Sequence, residues 1–173
     1  MNSVEQRKLS MSAIERTLAG LPGIREYKEK ELRRAADRQV RDTLARLLED
    51  QRNQLSMLQL NLVQRGKLEW VDDLEQAVGK LQWLMDQVKT AAYGYAGFFD
   101  ANKIRESELE ALVRFDQEMV SQVNELQEKI SSIEQTASTQ EDIGQAVQDL
   151  IHLLAELNQR WRHRDEAMRS AAE

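Results

Sequence analysis

The chain has 173 residues, 41% of them hydrophobic and 31% charged, with seven glycines, one proline and no cysteine; a chain of that length buries roughly 70% of its unfolded surface. The lack of cysteine excludes disulfides, thiolate metal sites and cysteine nucleophiles, and a net charge of −6 argues against general nucleic-acid binding. The longest uncharged apolar run, Ala91 to Phe99, is far shorter than the roughly 20 residues a membrane-spanning helix needs.

Leu, Ala, Glu, Gln, Arg and Lys dominate and recur at helical period, so the expected fold is all-α, an antiparallel up-down bundle of long heptad-patterned helices with a short N-terminal helix. Residues 1–24 are read as that short amphipathic helix and its break. Ser3 and Gln6 are spaced as a capping box, Met11, Ile14, Leu18 and Leu21 form an apolar stripe, Gly20 follows the helix, and Pro22-Gly23 interrupts the chain. Charged residues break up the first twenty positions, so no signal-peptide core is expected and a cytoplasmic location is.

Residues 25–173 are read as one bundle domain with helices at about 25–64, 68–92, 105–135 and 139–169. In the first, Leu44, Leu48, Gln51, Leu55, Leu58 and Leu62 alternate at four and three; before Leu44 the seam fades among arginines, like an extension with little core. The second carries Val71, Leu74, Val78, Leu81, Met85, Val88 and Ala92, with Gly79 expected at a close helix–helix approach. The third carries Leu109, Leu112, Asp116, Met119, Val123, Leu126, Ile130 and Ile133 behind a Ser107–Glu110 capping box, with Asp116 as a hydrogen-bonded, register-setting residue. After a small-polar loop at 135–140 and a Ser138–Glu141 capping box, the fourth carries Ile143, Val147, Leu150, Leu154, Leu157 and Trp161. Side-by-side packing of four helices competes with a three-helix core whose last helix pairs in trans.

Chemistry is sparse. His152 has Asp149 and Glu156 within a turn, but the Glu-x-x-His pairs of a bundle metal site do not occur. His163 lies among arginines. There is no phosphate loop, nucleophile elbow or zinc spacing. The expectation is therefore a non-enzyme with no cofactor, no metal and no small-molecule substrate.

Residues 93–99 hold four of the nine aromatics, and Gly94 and Gly97 permit a bend. The segment is either a plug over the core or an exposed contact loop. Residues 1–41 carry ten Lys/Arg against six Asp/Glu, residues 42–159 ten against twenty-one, and residues 160–173 four against three. In an up-down bundle the aromatic segment, the start of the first long helix and the end of the last meet at one pole. The candidate interaction residues are therefore Tyr93, Tyr95, Phe98, Phe99, Arg33, Arg34, Arg38, Arg41, Arg160, Arg162 and Arg164.

Residues 21–50 and 70–115 resemble a group of all-helical bacterial proteins to which no activity is attached. The order of a short amphipathic helix, a basic long helix and a hairpin partner is similar in outline to PspA and ESCRT-type membrane-remodelling proteins, and the helix size to spectrin-type repeats. The expected function is interaction or scaffolding, with another protein or itself as partner. The alternative is peripheral association with anionic lipid through the N-terminal helix and the basic–aromatic pole.

Overall fold

Apolar residues three and four apart line one side of a helix, and water drives those sides together. In the computed structural model, which describes Glu5 and residues 13–139 and 141–170, the chain is 87% helical with no strand among the described residues. Helix α1 is described over residues 13–19; Ser3, Gln6 and Met11 of the expected cap and stripe lie outside the described residues. Its Ile14 and Leu18, with Leu21 beyond it, pack against the main core. There follow α2 (Ile24–Lys28), α3 (Lys30–Gln64), α4 (Val71–Thr90), a 3-10 turn (Ala91–Gly94), α5 (Ala96–Asp100), α6 (Glu106–Ser138) and α7 (Gly144–Ser170).

All four long helices contribute to one core within the chain, so the last helix completes that core in place of a copy from another chain. Their directions alternate as expected, but the neighbours are not those of a simple meander. Helix α3 packs on α4 and α6, and α7 packs on α4 and α6, so α4 and α6 occupy opposite corners. The side chains give the directions. Gln51 bonds the Val123 carbonyl and Arg65 the Ala137 carbonyl, so α3 and α6 run parallel. Arg52 meets Gln82 while Gln59 meets Glu75, so α3 and α4 run antiparallel. The α3–α4 and α6–α7 turns join neighbours; residues 91–105 must cross the end of the bundle diagonally. That strap is the aromatic segment.

The seams expected from the spacing are the core. Leu44, Leu48, Leu55, Leu58 and Leu62 of α3 meet Leu74, Leu81, Met85 and Val88 of α4, Met119 to Ile133 of α6 and Val147 to Trp161 of α7 in one apolar cluster. Gly66 closes α3 at φ 70, where its N–H bonds the Val63 carbonyl and the Lys67 N–H bonds that of Leu62.

Local expectations fail at several places. The helix expected from residue 25 to 64 breaks at Glu29, whose backbone is extended. No Gly or Pro marks the break; instead the Arg33 guanidinium donates to the Tyr27 and Lys28 carbonyls that end α2. The Ser107 box is absent, because α6 begins at Glu106 with Arg105 as the residue before it. The Ser138 box is absent too: α6 runs through Ser138, and the Asp142 carboxylate caps the Gly144 N–H at 2.7 Å.

Gly79 is not at a helix–helix contact. A Cβ there would meet nothing within 4 Å, and the residue is exposed. Gly79→Ala is therefore expected to stabilise the fold by about 0.8 kcal/mol, from helix propensity alone. A urea titration showing an unchanged or lower midpoint would mean that the notch has another role.

Candidate functional site

The expected pole forms, but much of it is interior. Tyr95, Phe98 and Phe99 are buried, the rings meeting edge to face, so the strap is a plug and not a loop held out to solvent. Tyr93, 92% exposed, is the aromatic of that segment that stays outside. The arginines divide the same way. Arg33, Arg41 and Arg164 are buried, which removes them from direct contact with a partner. Arg34, Arg38 and Arg162 are exposed and Arg160 is half-buried. Of these, Arg34 faces Asp100 at 3.8 Å and lies over the Phe99 ring, Arg38 faces Asp42 at 3.7 Å, and Arg160 bonds Glu118 at 2.8 Å.

The buried arginines have two different tasks. Among the described residues Arg33 has no carboxylate partner; besides closing α2 it donates to the carbonyls of Phe98 at 2.9 Å and Ala101 at 2.8 Å. It thereby pins the strap to the start of α3. Burial lowers its pKa, and the carbonyls supply the negative ends of dipoles that take the place of water.

Arg164 is the centre of a charged layer. Its Nε donates to Asp116 Oδ1 at 2.8 Å and its NH1 to Asp37 Oδ1 at 3.1 Å. Arg41 Nε donates to the other Asp37 oxygen at 2.8 Å, and the Tyr27 hydroxyl to Asp116 Oδ2 at 2.8 Å. The Tyr95 hydroxyl donates to Asp165 and accepts from Arg164. Two carboxylates thus balance two guanidiniums. The layer separates the main core from a second apolar cluster of Tyr27, Ala36, Tyr95, Phe98, Phe99, Ile104, Leu109, Leu112 and Met168. Asp116 is the hydrogen-bonded polar residue its seam position implied.

Burial pushes the Asp116 carboxyl above the usual aspartate range, with Arg164 pulling it back. Burial also disfavours the Arg164 cation, but Asp116, the two tyrosines and Asp37 outweigh that and hold it charged. Burial raises the Tyr27 hydroxyl well above the tyrosine range, and the nearby Asp116 charge pushes the same way. Tyr95 is likewise raised, chiefly by burial.

The tyrosine shifts have a measurable sign. A folded-state pKa above the unfolded value leaves stability intact below the unfolded pKa, near 10, and removes it as pH rises further. Alkaline denaturation should begin there, each tyrosine adding a slope of up to about 1.4 kcal/mol per pH unit. Tyr95→Phe should flatten that slope; a slope identical to the parent's would place the hydroxyl in solvent.

Elsewhere the described residues hold no group of three or more His, Asp or Glu that could hold a metal, and His152 and His163 are exposed. A groove of about 380 Å³ between α6 and α7 is floored by Phe98, Leu112, Phe115 and Met168, with Arg164 at its wall; that guanidinium is already committed to Asp116 and Asp37. A second groove, about 450 Å³, runs between α4 and α7 beside Gly79, Trp83 and Arg162. No described helix is long and apolar enough to cross a membrane.

The outer side of α3 went unnoticed in the sequence. Residues 53–64 form the longest uncharged stretch in the chain, in a protein nearly a third charged. Three of those twelve residues, Leu55, Leu58 and Leu62, are core. On the other side Met57, Leu60 and Val63 are 66%, 50% and 45% exposed, and Leu68, just past the helix, is 62% exposed. The signal that could have exposed it is the absence of charge on both sides of one helix.

No family model, curated protein or solved structure matches this chain.

Proposed function

We propose that this protein is a non-enzymatic interaction or scaffold bundle that binds another protein or itself through an exposed helix face. The observation that supports the reading is the outer side of α3, where Met57, Leu60, Val63 and Leu68 lie in the open without a charged residue among 53–64. Single exposed apolar residues are ordinary on a protein surface; several together on an uncharged rod are the pattern of a docking surface. Trp83, 63% exposed beside the Gly79 notch, offers a second anchor of the residue type that dominates binding hot spots.

The test is capture with the purified, tagged full chain. The parent is expected to retain a partner, whether a second copy or another protein. Met57→Glu with Leu60→Glu, melting at the parent's temperature, should lose it. Retention unaffected by either charge would overturn the reading.

The pole gives less support to the lipid alternative, because Arg34, Arg38 and Arg160 already face acidic side chains. Pelleting with anionic vesicles at low salt, abolished near 0.5 M, would favour it instead, since about 0.5 M salt screens exposed charges beyond a few ångströms.

A further inference from the structure

We propose that the partner is a second copy of this chain, docked antiparallel along the outer face of α3; the inference rests on the interaction reading and names its partner. Asp50, Asn53, Met57, Leu60 and Gln64 recur at spacings of three, four, three and four, and all five are exposed. They form a second, outward-facing seam, apolar at its centre (Met57 and Leu60) and polar at its ends, on the side away from the buried one of Gln51, Leu55, Leu58 and Leu62. Within the bundle α4 and α6 cover the inner side of α3 and leave Met57 and Leu60 uncovered.

Charge selects the occupant. A two-fold contact sets one surface against itself, so any fixed charge near its centre meets its own kind. In a chain of which 31% is charged, residues 53–64 carry no charge and meet that condition. Charge also selects the direction. With the axis between Met57 and Leu60, antiparallel pairing lays each Met57 against the second copy's Leu60. It brings Asn53 to Gln64, two amides able to hydrogen-bond each other. At both ends it brings Asp50 towards Lys67, which follows Gly66 at the close of α3. Parallel pairing would set Asp50 against Asp50.

The seam from Asp50 to Gln64 is about 21 Å long at 1.5 Å per residue. A contact of one helix against one helix falls at the small end of specific interfaces, below about 1,200 Å² in total. The dimer is therefore reversible and depends on concentration, and its polar Asn53 and Gln64 positions set register more than strength.

Sedimentation equilibrium of the full chain, from micromolar to near-millimolar concentration, should show monomer passing to dimer. Leu60→Glu should raise the dissociation constant by about tenfold or more, since it sets two carboxylates near the axis. Asp50→Lys should weaken the dimer and added Lys67→Asp should restore it. Because the chain has no cysteine of its own, direction can be read by mixing Asn53→Cys and Gln64→Cys chains under mild oxidation. A mixed disulfide marks antiparallel pairing; Asn53→Cys cross-linked only to itself overturns it. A parent that stays monomeric throughout, or a dimer indifferent to Leu60→Glu, also overturns the proposal. If a monomeric parent still captures a different protein, self-association alone has failed; if it captures nothing, the interaction reading falls with it.

Discussion

Leu81→Asp is expected to abolish cooperative folding or to lower stability by at least about 4 kcal/mol. Leu81 is fully enclosed in the main cluster. The substitution removes a leucine from the middle of four packed helices and leaves a carboxylate there with neither water nor a partner. Folded domains of this size have about 5–15 kcal/mol to lose, so one such change consumes much or all of it. Gln76→Asp, exposed on the same helix, should shift stability by no more than about 0.5 kcal/mol. Urea denaturation followed by circular dichroism compares the two. Equal midpoints would mean that the 71–92 seam faces outward.

Arg164→Met is expected to cost about 3–5 kcal/mol at neutral pH. The loss is not mainly that of the attraction itself, which desolvation largely cancels. It comes chiefly from stranding Asp116, buried and left with the Tyr27 hydroxyl alone, while Asp37 keeps only Arg41. The pH dependence identifies the cause. Without Arg164 the already raised Asp116 carboxyl rises further, so the folded variant takes up a proton before the unfolded chain does, and the penalty shrinks as pH falls. Adding Asp116→Asn should recover part of the loss at neutral pH. A penalty below about 1 kcal/mol, or one unchanged between neutral and mildly acidic pH, would show that the layer is open to water.

The heptad seams were legible in the sequence because each long helix buries one face, and burial at that face demands apolar residues at fixed spacing. Where the inward residues are charged, the apolar register fades. Carried backward from Leu44, the alternation of three and four passes through Arg41 and Asp37; carried forward from Trp161, it passes through Arg164 and Met168. All four are buried, so the spacing located the layer and the residue types concealed it. The fate of Tyr95, Phe98 and Phe99 could not be decided from sequence, since a plug and a sticky loop have the same composition. What decided it was which corners of the bundle the strap must join. The outer seam of α3 was hidden for the opposite reason: Met57 and Leu60 are of the same apolar kind as the core leucines on the other side of the helix.

The diagonal strap also bears on the order in which the chain assembles. The α3–α4 and α6–α7 pairs are joined by short turns, and such closures cost little entropy and occur early. Contacts such as Gln51 with Val123 join residues 72 apart and must await the crossing of the strap. Substitutions between helices of one hairpin should therefore slow refolding, while those where α3 meets α6 or α4 meets α7 should chiefly hasten unfolding. The lifetime of the folded protein is then set where parallel helices touch, and by the arginine that holds the strap across them.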